Sequence, residues 1–147
     1  MSPVWKVVVF LAPLCPICQD YTYFLSALHD QWSSTDAPVE MVGVFPKGSA
    51  SFEDIEDFAN TYRVDWPLQL DTEGLVDSLD AHCTPEVFVL DSNGRVQYSG
   101  RINDLYVSLG KHRPKPRRHD LREAMAALLA GQVPRDSVTQ AIGCPIE

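Results

Sequence analysis

The sequence predicts an α/β domain whose mixed central β-sheet is flanked by helices in three layers. Three observations predict it. Residues 5–12 (WKVVVFLA) and 39–45 (VEMVGVF) are apolar, β-branched runs of strand length, the kind buried on both faces of a sheet. The stretches following each run place apolar residues at helical spacing. A further run, 86–91 (EVFVLD), joins 95–100 (RVQYSG) through Ser92-Asn93-Gly94, a hairpin signal that adds an antiparallel edge.

The elements follow in order. After the first strand, a helix begins at Cys15 and Cys18, with Tyr21, Phe24, Leu25, Leu28 and Trp32 on one stripe. Residues 33–38 read as a loop before the second strand, and Pro46, Lys47 and Gly48 turn the chain after it. Ser51 caps a helix over 51–62: Asp54 stands three residues on, and Phe52, Ile55, Phe58, Ala59 and Tyr62 share a face. A short strand over 68–71 and a short helix over 74–81 precede the hairpin. The last helix spans 120–130 and is closed by Gly131. The tail beyond it reads as irregular and ends in Gly143-Cys144-Pro145-Ile146. Strand–helix–strand units of this order pair in parallel, with helices on the sheet faces.

With 147 residues, 45% hydrophobic and 22% charged, the chain makes one domain over 1–147 and buries a core without staples. Its core is expected over about 4–100, with the last helix and the Cys144 tail over 101–147. A net charge of −8 argues against phosphate binding, so nucleic acid is not an expected partner. The longest apolar run, 7–14, falls far short of the roughly 20 residues of a membrane helix. Lys6 precedes that run, but no small-residue cleavage site follows, so it does not read as a signal peptide. A native start and release from a longer precursor both fit. A monomer is the default at this size.

Four cysteines are too few for a disulfide-dense scaffold, and only Cys15 and Cys18 form a local pair. They fall where a buried strand gives way to a helix. A thiolate there faces unpaired backbone N–H groups, which lower its pKa from about 8.5 to about 7 or below. Two intervening residues let the second thiol reach the first within one turn. Cys15 is therefore the expected nucleophile and Cys18 the resolving thiol. Zinc needs four ligands, and neither a second Cys-x-x-Cys nor paired histidines accompany these two; His29 and His82-Cys83 do not complete a site. No metal and no cofactor is expected. Two inert buried thiols are the plain alternative.

The stretch Phe10-Leu11-Ala12-Pro13-Leu14-Cys15-Pro16-Ile17-Cys18 resembles the Phe-x-Ala-x-x-Cys-x-x-Cys active-site segment of the thioredoxin superfamily. Thr84-Pro85 resembles that family's threonine and cis-proline, and residues 88–96 (FVLDSNGRV) resemble its TlpA/ResA-like and redoxin branch. The resemblance covers about 4–100. It implies a thioredoxin-like fold and a thiol–disulfide oxidoreductase with protein disulfide or thiol substrates and a redox partner. It further implies that Pro85 is cis, leaving a backbone edge at Thr84 and Pro85 to which substrate pairs beside Cys15. A trans proline opening a strand is the alternative for Pro85.

Several positions depart from the family pattern. Val9 stands where thioredoxins carry an acidic residue, Pro16-Ile17 replaces Gly-Pro, and Tyr21 replaces a glutamate frequent in TlpA-like proteins. Asp20 and Asp71 are the nearest candidates to accept the Cys18 proton, or else are solvated carboxylates. The peroxiredoxin pattern Pro-x-x-x-Thr-x-x-Cys is absent, with Val8 and Ala12 in its place.

Beside Thr84, Cys83 falls near the active-site surface under this resemblance. Cys83 and Cys144 admit three readings. One is a structural disulfide closing a loop of roughly 60 residues, contributing about 4 kcal/mol and favouring an oxidising, extracytoplasmic compartment. Another is exchange between Cys83 and the Cys15–Cys18 pair as a relay, and the third is two half-buried free thiols. Residues 111–122 hold six of the twelve basic residues and a single acid, Asp120. Stiffened by Pro114 and Pro116, that loop is either solvated or a dock for an acidic partner. Two other functions compete with redox exchange: a metallochaperone holding copper(I) between Cys15 and Cys18, and a redox-inert interaction module.

Overall fold

A computed structural model describes residues 4–146; both ends of the expected domain over 1–147 lie outside the described residues. The elements are β1 (Trp5–Phe10), α1 (Pro16–Ser34), β2 (Val39–Phe45), α2 (Phe52–Tyr62), β3 (Leu68–Leu70), α3 (Leu75–Leu79), β4 (Cys83–Thr84), β5 (Glu86–Leu90), β6 (Val96–Gly100), β7 (Tyr106–Ser108), β8 (Lys111–His112), α4 (Asp120–Leu129) and β9 (Cys144–Pro145). Five strands form the central sheet in the order β3-β2-β1-β5-β6. β1 pairs parallel to β2 and β2 parallel to β3, whereas β5 runs antiparallel to both β1 and β6. The mixed sheet of the sequence reading is thus present.

Alternation along β1 divides the core. Val7 and Val9 join one apolar cluster and Val8 and Phe10 the other, all of them fully buried, because successive strand residues point to opposite faces. The larger cluster takes Leu25 and Leu28 of α1, Ile55 and Phe58 of α2, and Leu121 and Met125 of α4. Against the other face lie Leu75, Val76 and Leu79 of the single short helix α3, together with Ile146. The two helical layers are therefore unequal. The thin one is completed in part by the chain's own tail.

Local signals are visible in the element ends. At α2 the Ser51 hydroxyl accepts from Asp54 N at 3.1 Å while the Asp54 carboxylate accepts from Ser51 N at 2.9 Å, a capping box. The β5–β6 hairpin turns over residues 91–95, where Asp91 Oδ1 accepts from Asn93 N and Arg95 N. α1 continues through Ser34, two residues into the expected loop, and the short helix expected over 74–81 narrows to α3.

The tail differs from its reading as irregular. Val138 bridges Ser99 on the outer edge of β6, and Thr139 N donates to Ser99 O at 2.9 Å. Thr139 Oγ1 lies 2.7 Å from the Tyr98 hydroxyl and accepts from Arg101 N at 3.0 Å. Gly100 permits this approach: its φ is +135°, and a Cβ there would lie 2.2 Å from Thr139 O. Residues 111–122 also differ from a purely solvated loop. Arg117 N and Arg118 N donate to Asp104 Oδ1 at 2.7 and 2.8 Å, Arg113 Nε lies 3.6 Å from Asp104 Oδ2, and Arg118 pairs with Glu123 and Asp136.

Candidate active site

Cys15 occupies the N-cap of α1, and Pro16, which has no N–H to leave unpaired, fills the first helical position. β1, fully buried from Val7 to Phe10, delivers the chain to this point, so the thiol follows the end of the sheet's central strand. Cys15 is 4% exposed, and Cys18, one turn into the helix, is completely buried.

Opposite them is the 84–85 loop, whose Thr84–Pro85 peptide is cis. Thr84 is buried, and its carbonyl oxygen lies 3.4 Å from Cys15 Sγ, within reach of a thiol donor. The four residues Cys15, Cys18, Thr84 and Pro85 therefore stand in one neighbourhood.

Tight packing and hydrogen bonding split the two thiols. Cys15 is pulled down to about 5, first by the hydrogen bond from the Cys18 thiol and then by that from Cys144, against the opposing effect of burial. Burial pushes Cys18 well up, and a negative charge on Cys15 pushes it further the same way. One thiol is thus biased toward its thiolate while its neighbour keeps its proton.

A third thiol completes this geometry, one that local sequence spacing did not associate with the pair. β9 pairs antiparallel with β4 in the register Thr84↔Cys144 and Cys83↔Pro145. Cys144 Sγ stands 2.8 Å from Cys15 Sγ. Of the three readings open for Cys83 and Cys144, the arrangement speaks against the disulfide and matches two half-buried free thiols. All four cysteines are free, Cys144 stands across from Thr84, and neighbouring positions on a two-stranded ribbon point to opposite faces. Cys83 turns instead toward Ala141 O at 3.9 Å, and burial raises its thiol to about 12.

Both candidate acceptors for the Cys18 proton have other partners. Asp71 uses both oxygens on α3, accepting from Leu75 N at 2.7 Å and Val76 N at 3.0 Å. Asp20 accepts a hydrogen bond from the Tyr106 hydroxyl. Tyr21 donates to Asn103 O at 3.1 Å, tying α1 to the segment after β6. Among the described residues, the grouped candidate metal ligands are His29, Asp30 and Asp65, which include no thiol.

Beside Cys15 a cleft of about 530 Å³ opens between Leu14, the 46–49 turn and the tail residues Pro145 and Ile146. It gives the thiol pair a flank from which a second molecule can approach.

A mixed sheet ending in a helix-capping Cys-x-x-Cys, faced by a threonine and proline loop, defines a thioredoxin-like redoxin. The chain belongs to the AhpC/TSA family, whose pattern matches residues 4–99. Among solved structures it is similar to a hypothetical protein from Sinorhizobium meliloti 1021, at 22% identity and a TM-score of 0.81, over 97% of this chain and 78% of that one. It is equally similar to an uncharacterized conserved protein from Geobacillus kaustophilus, at 22% identity and a TM-score of 0.82, over 98% and 77%. StoA from Bacillus subtilis matches over a shorter span, with 22% identity, a TM-score of 0.58 and coverage of 67% and 74%. At such identities the likeness establishes the fold. A comparison with curated proteins finds no match. Among the described residues no helix is long and apolar enough to cross a membrane.

Proposed function

We propose that this redoxin is a thiol–disulfide oxidoreductase that exchanges disulfides with protein substrates through Cys15-Pro16-Ile17-Cys18. The observation that carries the reading is the opposite bias of two adjacent thiols, Cys15 lowered to about 5 and Cys18 raised by burial. Exchange needs that asymmetry, because the thiolate is the nucleophile and the resolving thiol must wait.

In the reducing direction the Cys15 thiolate attacks one sulfur of a substrate disulfide. The Cys15–substrate bond forms, the substrate S–S bond breaks, and the released sulfur takes up a proton. Cys18 then gives up its proton and attacks Cys15 Sγ. A Cys15–Cys18 disulfide forms and the second substrate sulfur leaves as a thiolate. Two electrons pass from the cysteine pair to the substrate, and the reverse sequence oxidises a dithiol. The β4 edge at Thr84 is the backbone to which an extended substrate segment adds.

Equilibration of a C83S/C144S variant with glutathione redox buffers tests this reading. A reversible Cys15–Cys18 disulfide is expected. A potential near about −270 mV marks a reductant of partner disulfides, and one near about −120 mV marks an oxidant of thiols. No disulfide at any poise overturns the reading.

A further inference from the structure

The segment from 137 to 146 is built into the molecule at successive points. It bonds to β6 through Ser137, Val138 and Thr139, pairs with β4 through β9, and packs Ile142 against the larger core cluster and Ile146 against the smaller. Gly143 makes the last approach, where an added Cβ would stand 2.2 Å from the Thr84 carbonyl oxygen and 3.0 Å from Pro85 N, both backbone atoms. The tail thus lies along the edge at which the proposed function seats a substrate strand. It also presents a thiol where a substrate sulfur would have to be.

Cys15 is the neighbour common to the other two thiols. Cys144 Sγ stands 2.8 Å from Cys15 Sγ, and the Cys18 thiol hydrogen-bonds to Cys15 as well. Thiol–disulfide exchange passes through one central sulfur flanked by an attacking and a leaving sulfur. The 2.8 Å between Cys15 Sγ and Cys144 Sγ is a distance at which attack can begin.

We infer that Cys144 is a third redox thiol of this centre, carried on an internal substrate strand, which exchanges with the Cys15–Cys18 disulfide to form a Cys15–Cys144 disulfide. The step balances without an outside oxidant. Cys144 loses its proton and attacks Cys15 Sγ, the Cys144–Cys15 bond forms, the Cys15–Cys18 bond breaks, and Cys18 takes up a proton. The disulfide thereby moves from a fully buried pair onto the half-buried tail. The inference rests on the oxidoreductase reading, since Cys15 must be redox-active for either disulfide to form.

The test uses the full chain with Cys83→Ser, oxidised in glutathione buffer, quenched with acid, alkylated and mapped by peptide mass. In C83S both Cys15–Cys18 and Cys15–Cys144 linked peptides are expected. In C18S/C83S most of the oxidised protein should carry the Cys15–Cys144 link and run as a monomer. If C18S/C83S instead accumulates glutathione on Cys15 while Cys144 is alkylated as a free thiol, the inference is overturned and the oxidoreductase reading survives. If C83S/C144S fails to close Cys15–Cys18 at every poise, both fall together.

Discussion

Gly143 presses against the Thr84 carbonyl so closely that any side chain at residue 143 meets backbone, which cannot swing aside as a flexible side chain would. Gly143→Ala should therefore lift β9 off β4 while leaving the sheet intact. A destabilisation of about 1.4 kcal/mol multiplies the undocked population about tenfold. Cys15, 4% exposed under the docked tail, should then be alkylated about tenfold faster at a pH where it is already a thiolate. An unchanged rate in a folded G143A would mean that the tail does not shield Cys15.

The thiolate titration separates the neighbours that lower Cys15. In the reduced protein, ultraviolet thiolate absorbance that disappears in C15S should titrate near pH 5. Cys18→Ala should raise that midpoint most, and Cys144→Ala should raise it less, following the order of their hydrogen-bonding effects. Equal midpoints in all three proteins would remove the thiol network as the cause.

That same shift has a signature in stability. A group depressed from about 8.5 when unfolded to about 5 when folded stabilises the native state above the higher value and loses that effect as pH falls toward the lower. Cys18, Cys83 and Cys144 are shifted upward, so their contributions are complete below about 8.5 and decline only above it. Reduced wild type should gain stability relative to C15S as pH rises from 5 to 8, measured by urea unfolding under reductant. A difference that shrinks over that range contradicts the lowered Cys15.

Much of this arrangement is legible in local sequence, and the missing part has a common physical origin. β1 and β2 show in their apolar runs, α2 in the Ser51 and Asp54 pair, and the hairpin in Asn93-Gly94, because short-range chemistry decides each of them. Cys15 and Cys18 are legible for the same reason. The tail carries no period, and its course is set by Thr139 meeting Tyr98 and Arg101 and by Gly143 meeting Thr84, contacts across tens of residues. Sequence separation hid Cys144 from Cys15, 129 positions away. For Cys83 and Cys144 it left a disulfide, a relay and two free thiols all open. The basic loop is anchored rather than buried: Asp104 accepts from Arg117 N and Arg118 N and lies near Arg113, while Lys111, Lys115, Arg117 and Arg122 stay exposed.

Arg101 reaches from the end of β6 to the start of α4, its Nε donating to Asp120 Oδ1 at 2.9 Å and its Nη2 to Asp120 Oδ2 at 3.2 Å. Asp120 is 3% exposed, so this two-point bond is what satisfies its carboxylate. Asp120→Ala leaves the half-buried guanidinium without its acceptor and should cost about 3 kcal/mol, as breaking a buried pair from one side does. A double-mutant cycle with Arg101→Ala should recover part of that cost. Additive losses would show that the two residues act independently.

Asp71 distinguishes a structural carboxylate from a catalytic one. Both of its oxygens accept backbone N–H groups at the start of α3, so Asp71→Ala should lower stability by about 1 kcal/mol, the usual loss for a helix cap. α3 covers the thin face of the sheet, which makes that loss measurable in denaturant unfolding. The rate at which Cys18 resolves a mixed disulfide on Cys15, followed by stopped-flow release of a chromogenic thiol, should stay within twofold of wild type, roughly 0.4 kcal/mol of barrier. A tenfold slowing that Asp71→Asn reproduces without loss of stability would instead make Asp71 the base for Cys18.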